Sequence, residues 1–149
     1  MDTNRKLSSS LEDYLEAIYH IEGRKQAARA KDIALRLKVK GASVTAALQA
    51  LARLELINYA PYDVITLTDK GRAVAGEVVS RHQALHKFFA EVLGVEEETA
   101  QKAACRMEHA LPDGILERLL MFVEVVGESG GQDGGVMEEF NSRIAANSK

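Results

Sequence analysis

Side chains able to bind a metal ion are concentrated in two short stretches of the sequence. Asp13 and Glu16 are three residues apart, so a helix there places both carboxylates on one side. Cys105, Glu108 and His109 have spacings of three and four residues, which bring a thiol, a carboxylate and an imidazole onto one helix face. These are ligand types for first-row transition metals. The pattern is compatible with a metal site. The alternatives are a solvated acidic face for the first stretch, and a buried cysteine beside a solvated Glu-His pair for the second.

Two more imidazoles, those of His82 and His86, are one helical turn apart in a segment with helical periodicity. They are candidate nitrogen ligands, and surface histidines are the alternative. Cys105 is the only cysteine of the chain, which excludes an intrachain disulfide. Its thiol is therefore structural, reactive or metal-binding.

Helix signals surround the candidate ligands. Ser10 is the predicted N-cap of a first helix that ends at Gly23. Thr68 is predicted to cap a long amphipathic helix, which Gly94 breaks. Asp13, Glu16, His82 and His86 are therefore expected on helices.

The C-terminal half continues with helical patterns. Helices are predicted over 97–111 and 114–126, and the glycine-rich composition of 127–135 is typical of a flexible linker. The tail from residue 136 is expected to form one or two helical turns or to stay disordered.

Between the first and the long helix, the apolar spacing predicts a helix-turn-helix followed by a β-hairpin. Apolar stripes over 33–37 and 44–54 are joined by a turn that contains glycine. Residues 57–59 and 64–67 are of β type, and a turn is predicted at 61–63. A two-stranded hairpin attached to a helix-turn-helix is a wing.

The second helix of this motif begins with small and hydroxylated side chains, which permit close approach to a DNA groove and hydrogen bonds to phosphates or bases. Basic residues precede it and are candidate phosphate contacts, while its alanines are candidate partners of a thymine methyl group. The candidate DNA contacts are Arg29, Lys31, Lys40, Ala42, Ser43, Thr45 and Ala46.

The charge distribution is compatible with DNA binding although the net charge is −3. Between Arg24 and Arg53, eight basic residues and one acid give a local charge of +7, and a solvated helical surface is the alternative explanation. The hydrophobic fraction of 46% is typical of a soluble globular protein. No apolar run approaches the ~18–20 residues of a membrane span, and the polar N-terminus has no signal-peptide pattern. We therefore expect a cytoplasmic protein without membrane contact.

Four segments together resemble the diphtheria-toxin-repressor family of iron- and manganese-dependent regulators. They are SLEDYLEAIY, the helix-turn-helix and wing ending in LTDKG, VVSRHQAL and ACRMEHAL, in this order over about residues 8–125. The resemblance implies a mainly α protein with a winged helix-turn-helix DNA-binding domain over 1–71. A helical dimerisation and metal-binding domain would cover 72–126, and a linker with a short tail 127–149. Iron-type members often have a third, SH3-like domain; here only fourteen residues follow Gly135, so we do not expect it.

In that family the metal bridges the first helix to the dimerisation helices. The resemblance implies that the primary ligands are Asp13, Glu16, His82, Cys105, Glu108 and His109. Manganese-type members share the two N-terminal acids but have an acid in place of Cys105. Iron-type members have the cysteine, but a thioether in place of Asp13 and an ancillary-site carboxylate in place of His86. The chain combines both patterns, and we expect Fe²⁺, with Mn²⁺ as the alternative.

The expected function is that of a homodimeric, metal-activated transcriptional repressor of metal-ion homeostasis that binds an operator in double-stranded DNA. The second helix of each helix-turn-helix would be the recognition helix, which enters the major groove. Metal binding would place the two recognition helices of the dimer ~34 Å apart, the spacing of successive major-groove faces. The alternative is a metal-independent winged-helix regulator that senses a small molecule or redox state through Cys105. A metal hydrolase is disfavoured, because the sequence has no glycine-rich phosphate loop, nucleophile elbow or HExxH pattern.

Overall fold

The computed structural model describes residues 7–60, 64–129 and 135–148. These residues form α-helices, one π-helical segment and a two-stranded sheet, which confirms the mainly α fold. The chain divides into two compact units, one ending at Val79 and one beginning at Ser80. Within the described ranges, no helix combines the length and the apolar character needed to cross a lipid bilayer.

The first helix, α1, spans Ser9–Lys25. Its N-cap is Ser8, whose hydroxyl accepts a hydrogen bond from a first-turn backbone N–H at 3.2 Å, so the prediction of Ser10 as the cap was wrong. The helix also continues through Gly23 and ends where Gln26 adopts a left-handed φ of 69°. A glycine lowers helix stability by only ~1 kcal/mol, and the buried apolar face of α1 outweighs that cost.

The helix-turn-helix consists of α2, Ala30–Leu37, and α3, Gly41–Arg53. The apolar side chains of the two stripes point inward: Ile33, Leu48 and Leu51 are fully buried. They join the buried face of α1 in one hydrophobic cluster. This cluster holds the outer face of α3 at the surface.

The predicted wing is present as strands β1, Ile57–Ala60, and β2, Val64–Leu67, which pair antiparallel. On its other side, β2 forms two backbone hydrogen bonds with Ala28. The N–H of Ala28 donates to the carbonyl of Ile65 at 2.8 Å, and the N–H of Ile65 donates to the carbonyl of Ala28 at 2.9 Å. The hairpin is therefore attached to the connection between α1 and α2. The turn predicted at 61–63 lies outside the described residues.

Helix α4 spans Asp69–Lys87 and begins against the end of the helix-turn-helix. The hydroxyl of Thr68 accepts from the N–H of Gly71 at 2.9 Å and donates to the carbonyl of Glu55 at 2.7 Å, so Thr68 caps α4 as predicted. A Cβ on Gly71 would lie 1.8 Å from the carbonyl oxygen of Leu56. Only glycine permits this close approach of two backbones.

Beyond α4, the second unit is built from short helices. A π-helical segment, Phe88–Val92, follows α4 directly, and Gly94, with a φ of 68°, interrupts the helical run as predicted. Helix α5 spans Glu97–Met107, α6 spans Asp113–Ser129 and α7 spans Val136–Asn147.

Three helix ends in the second unit differ from the sequence prediction. Helix α5 ends at Met107, so Glu108 and His109 lie in the turn that follows it rather than on the helix. Helix α6 continues to Ser129, inside the predicted linker, whose residues 130–134 lie outside the described ranges. The tail forms the 12-residue helix α7, which is longer than the one or two turns expected.

Candidate metal centre and nucleic-acid interface

A buried carboxylate, that of Glu108, lies between two imidazoles in the second unit. Its Oε2 is 2.6 Å from Nδ1 of His82, and its Oε1 is 3.3 Å from Nε2 of His109. Glu108 is 1% exposed and His82 is 8% exposed. A buried carboxylate is unfavourable unless hydrogen bonds, an opposite charge or a metal ion compensate for the lost hydration.

The single thiol of the chain belongs to the same group of side chains. Sγ of Cys105 is 3.8 Å from Nδ1 of His82, and the cysteine is exposed on the last turns of α5. The structure thus brings together four of the six predicted ligands, which we call the Glu108 cluster: His82, Cys105, Glu108 and His109. Helix α4 supplies the first, α5 the second, and the turn after α5 the other two.

The donor types of the Glu108 cluster suit a divalent transition-metal ion. Among the described residues, Oε1 of Glu108 is buried and accepts no hydrogen bond, although the imidazole of His109 is within ion-pairing distance. Buried polar atoms without a hydrogen bond are rare and require an explanation, and a role in binding a cation is one. The donors are a thiol, a carboxylate and two imidazoles, a set that suits Fe²⁺, Co²⁺, Zn²⁺ or Mn²⁺.

His86 supports this cluster from the end of α4. Its ring stacks on that of His82 with centroids 6.4 Å apart, and its Nε2 is 2.7 Å from Oε1 of Glu97 in the first turn of α5. These contacts restrict the ring of His82 and connect the two helices that supply the cluster. Residues that orient a metal-binding histidine are a regular part of metal sites.

The other two predicted ligands lie on α1 in the first unit. Asp13 is exposed, and the side chain of Glu16 is 16% exposed with its Oε1 3.6 Å from Nε2 of His20. They are three residues apart on a regular helix, so they share one side of it as the sequence predicts. Their role as metal ligands stays a prediction.

The predicted DNA contacts on α3 are all accessible. Ala42, Ser43, Thr45 and Ala46 are exposed, while Val44 between them is fully buried. The hydroxyl of Thr45 donates to its own helix, to the carbonyl of residue 41 at 3.1 Å, and its oxygen can still accept from a ligand. The helix therefore presents a surface of small side chains with few steric obstacles.

Sequence reasoning missed Gln49, which is exposed on α3. It follows Ala42 by seven residues and Thr45 by four, so it extends the same surface by one turn. Its amide both donates and accepts, as adenine recognition in the major groove requires. The signal was available in the sequence, because Gln49 is polar next to the buried apolar stripe. We call these side chains the recognition face: Ala42, Ser43, Thr45, Ala46 and Gln49.

The three predicted phosphate contacts are also exposed. Arg29 and Lys31 lie at the start of α2, and Lys40 occupies the N-cap position of α3. These basic residues thus lie at the beginning of the two helices of the motif. Contacts of this kind orient a protein on DNA without reading its sequence.

Helix α6 has a large apolar surface that the described residues leave uncovered. Val123 is its only buried residue within those ranges, whereas the large apolar side chains around it face solvent. The exposed ones are Ile115, Leu120, Met121, Phe122 and Val125. Several large apolar side chains exposed on one helix are typical of a protein–protein contact.

A winged helix-turn-helix with an exposed recognition face, followed by a helical unit that clusters side chains of metal-binding types, is typical of the class of metal-responsive DNA-binding regulators. Both halves of the chain match models of known protein families, and these matches agree with this class. Residues 6–65 match the model of the iron dependent repressor N-terminal DNA binding domain. Residues 68–129 match that of the iron dependent repressor metal binding and dimerisation domain.

Transcriptional regulators of other organisms are similar to this sequence over most of their length. An uncharacterized HTH-type transcriptional regulator of Methanocaldococcus jannaschii, MJ0568, is 43% identical over 119 residues, which cover 79% of this chain and 95% of the relative. The HTH-type transcriptional regulator MntR of Geobacillus kaustophilus is 37% identical over 110 residues, 74% of this chain and 77% of the relative.

Solved structures show the same fold. IdeR of T. acidophilum has a TM-score of 0.68 and 25% identity, covering 78% of this chain and 54% of that one. A manganese-dependent transcriptional repressor in complex with manganese has a TM-score of 0.71 and 27% identity, covering 76% and 52%. The chain thus spans about half the length of these two solved chains.

The chain belongs to the diphtheria-toxin-repressor family, whose domains are described as iron-dependent repressor domains. It is a metal-responsive, DNA-binding transcriptional regulator.

Proposed function

We propose that this chain is a homodimeric repressor that binds an operator in double-stranded DNA when Fe²⁺, or alternatively Mn²⁺, is bound. The observation that carries the proposal is the Glu108 cluster, in which a buried carboxylate lies between two imidazoles and near a thiol. A regulator with this site is suited to controlling genes of metal-ion homeostasis in the cytoplasm.

The proposed ligands are Asp13 and Glu16 from the first unit and the four residues of the Glu108 cluster from the second. Family membership and the ligand chemistry of the six side chains support this set. A bound cation supplies the positive charge that lets several carboxylates and a thiolate lie close together. Without it these groups repel each other, and each ligand must lose its proton or remain unprotonated to bind.

Shared coordination by residues of both units explains how metal binding changes DNA affinity. Asp13 and Glu16 are on α1, which packs in the same hydrophobic cluster as the recognition helix α3. When they coordinate together with the Glu108 cluster, the DNA-binding unit loses rotational freedom relative to the second unit. Two recognition helices of a dimer then keep the separation of ~34 Å that successive major grooves require. By linkage, DNA raises metal affinity by the factor by which metal raises DNA affinity.

Cys105 is the residue that we expect to decide between the two metals. A thiolate favours Fe²⁺ over the harder Mn²⁺, which prefers oxygen ligands. The likeness to a manganese-dependent repressor supports Mn²⁺, and the thiol in the cluster supports Fe²⁺. We propose Fe²⁺, and we expect Cys105→Glu to shift the most effective ion toward Mn²⁺. If the ions activate that variant in the same order of effectiveness as the wild type, the thiol does not determine the metal preference.

On the DNA side, we propose base contacts by the recognition face and phosphate contacts by Arg29, Lys31 and Lys40. The exposure of these residues and the match to a DNA-binding domain support this assignment. We propose the apolar surface of α6 as the dimer interface, since it lies within the matched metal binding and dimerisation domain.

One alternative has a specific observation in its favour. Cys105 is exposed, so oxidants have access to its thiol, and a redox-sensing regulator would use it. DNA binding that responds to peroxide but not to metal or chelator would favour this alternative. We propose no enzymatic activity, because the matched family consists of DNA-binding regulators.

The experiment that tests the proposal is DNA binding by fluorescence anisotropy on a promoter fragment, at fixed salt because phosphate contacts make affinity steeply salt-dependent. It is run without oxygen, with chelator, Fe²⁺, Mn²⁺ and Zn²⁺ in turn. We expect tight binding only with metal. Equal binding in chelator would refute metal activation.

The same assay with variants tests the site. Glu108→Gln and Cys105→Ala are expected to lower the metal-induced gain in DNA affinity by at least ~10–100-fold. That is the loss typical when a residue that only hydrogen-bonds a metal ligand is replaced. Glu98→Gln is the matched control, because Glu98 is also on α5 but is exposed and paired with Lys102. If the two cluster variants behave like this control, the ligand assignment is wrong.

A further inference from the structure

Glu22 connects three elements of the first unit. Its Oε2 accepts a hydrogen bond from the backbone N–H of Leu67 at 2.7 Å, at the end of β2. Its Oε1 accepts a hydrogen bond from the guanidinium of Arg72 in the first turns of α4. The carboxylate is nearly buried, with 11% of the side chain exposed, whereas that of Arg72 is 53% exposed. A single side chain of α1 therefore contacts both the wing and the beginning of α4.

The beginning of α4 is attached to the DNA-binding motif at further points. Thr68 is bonded to the carbonyl of Glu55, and the ammonium of Lys70 donates to the carbonyl of Leu54 at 3.1 Å. Gly71 is in backbone contact with Leu56. These contacts attach α4 to the end of the recognition helix. Glu22 is the residue that adds α1 to the same joint.

The two partners of this ion pair are on the helices that carry proposed metal ligands. Glu22 is six residues after Glu16 on α1, and Arg72 is ten residues before His82 on α4. A bound metal would link α1 to α4 through its ligands, but only while it is bound. The Glu22–Arg72 pair links the same two helices without metal. With α1 and α4 fixed to one another at this joint, a restraint applied at Asp13 and Glu16 is passed to the wing and to α3.

We propose that Glu22 is a positioning residue that transmits metal binding to the recognition face, through its contacts with Arg72 and the backbone of Leu67. This inference rests on the proposed function, since it assumes that metal raises DNA affinity. Glu22 itself contacts neither metal nor DNA in this scheme. It acts by holding α1, β2 and α4 together. When metal binding restricts the motion of α1, the wing and α3 are therefore restricted as well.

The test compares Glu22→Gln and Arg72→Gln with the wild-type chain in two titrations. The first measures Fe²⁺ and Mn²⁺ affinity of the protein without DNA. The second measures the ratio of DNA affinities with metal and with chelator. Arg72→Gln is the milder variant, because Arg72 is largely exposed and the bond from Leu67 to Glu22 remains. Glu77→Gln is the matched control, since it removes the same charge at an exposed position of α4.

We expect both variants to bind metal as the wild type does and to lose about tenfold of the metal-induced gain in DNA affinity, an amount typical of allosteric coupling. The charge-swapped pair Glu22→Arg with Arg72→Glu should restore part of the gain. A merely structural role would lower DNA affinity equally with metal and with chelator, and that result would overturn the inference. An unchanged gain in Arg72→Gln and Glu22→Gln would also overturn it. A wild-type protein without any metal-induced gain would instead refute the proposed function.

Discussion

The two units differ in how they bury apolar surface. The first unit contains a continuous cluster of 15 buried apolar residues that runs from α1 to the first half of α4. The described part of the second unit buries six, three of them alanines, and exposes eight large apolar side chains. The DNA-binding unit therefore has a hydrophobic core of its own. The second unit has a polar cluster around the buried Glu108 and exposes apolar side chains on α6, so we expect it to gain stability from a partner and a ligand.

The largest effect is expected from Gly71→Ala in the first unit. The added Cβ would lie 1.8 Å from the carbonyl oxygen of Leu56, and backbone cannot move aside as a flexible side chain can. We expect a loss of about 4 kcal/mol in the free energy of unfolding, at the upper end for single substitutions. Gly76→Ala on the same helix has no atom within 4 Å of the new Cβ and should stabilise by ~0.5–1 kcal/mol. Urea unfolding measures the free energy of unfolding of both variants. Equal effects of the two substitutions would contradict the close contact between Gly71 and Leu56.

The next effect concerns the core of the first unit. Leu48→Ala removes a fully buried side chain of α3 and should lower the free energy of unfolding by about 3 kcal/mol, from lost burial and the cavity left behind. Met121→Ala in the second unit removes a side chain that is 61% exposed, and it should change the stability of a dilute monomer by less than ~0.5 kcal/mol. If both substitutions destabilise equally, the contrast between the units is wrong.

A smaller effect tests what covers α6. Met121→Ser introduces a polar group into the exposed apolar surface, and we expect the dimer dissociation constant to rise about tenfold, or ~1.4 kcal/mol. Sedimentation at several concentrations measures it. Glu124→Gln is the control on the same helix, because Glu124 is exposed and polar. A dimer that is insensitive to Met121→Ser would show that another surface mediates association.

The smallest effect is a pH dependence at the N-terminus of α5. Hydrogen bonds from the backbone N–H groups of Glu98 and Thr99, and from the Thr99 hydroxyl, lower the pKa of Glu96 below its ordinary value of 4.5. Because the folded pKa is the lower one, this stabilisation is present above pH 4.5 and is lost as the pH falls through the folded pKa.

Glu96→Gln should therefore be less stable than the wild type near neutral pH. Glu96 is the N-cap of α5, and a glutamine in its place does not titrate. The difference in stability between the two proteins should therefore shrink as the pH falls below about 4.5. Thermal unfolding over a pH series measures this trend. A difference that stays constant over the series would mean that the cap bonds do not depend on the charge of Glu96.

Local patterns in the sequence predicted most elements correctly. The helix-turn-helix, the wing, the Thr68 cap and the interruption at Gly94 all follow from periodicity and from the conformational preferences of single residues. The errors occurred at helix ends, where several residues compete. Three consecutive serines stand at the start of α1, namely Ser8, Ser9 and Ser10, and the sequence does not reveal which of them caps the first turn with its hydroxyl.

The candidate site could be predicted in type but not in arrangement. Spacing suggested that Cys105 and His109 share a helix face, but α5 ends at Met107, and His109 reaches the cluster from a turn. Glu97 had no predicted role, yet it holds His86 against His82. Such contacts join residues of different helices, and their distances depend on how those helices pack.

By itself, the sequence determined the order of the elements, the ligand types and the family, because these depend on composition and on spacings within a few residues. Only the tertiary structure decided that Glu22 contacts Leu67 and Arg72, which are 45 and 50 residues away along the chain. It also decided that the carboxylate of Glu108 is buried between two imidazoles. Long-range contacts of this kind require the whole hydrophobic core to bring helices together, and no local pattern contains that information.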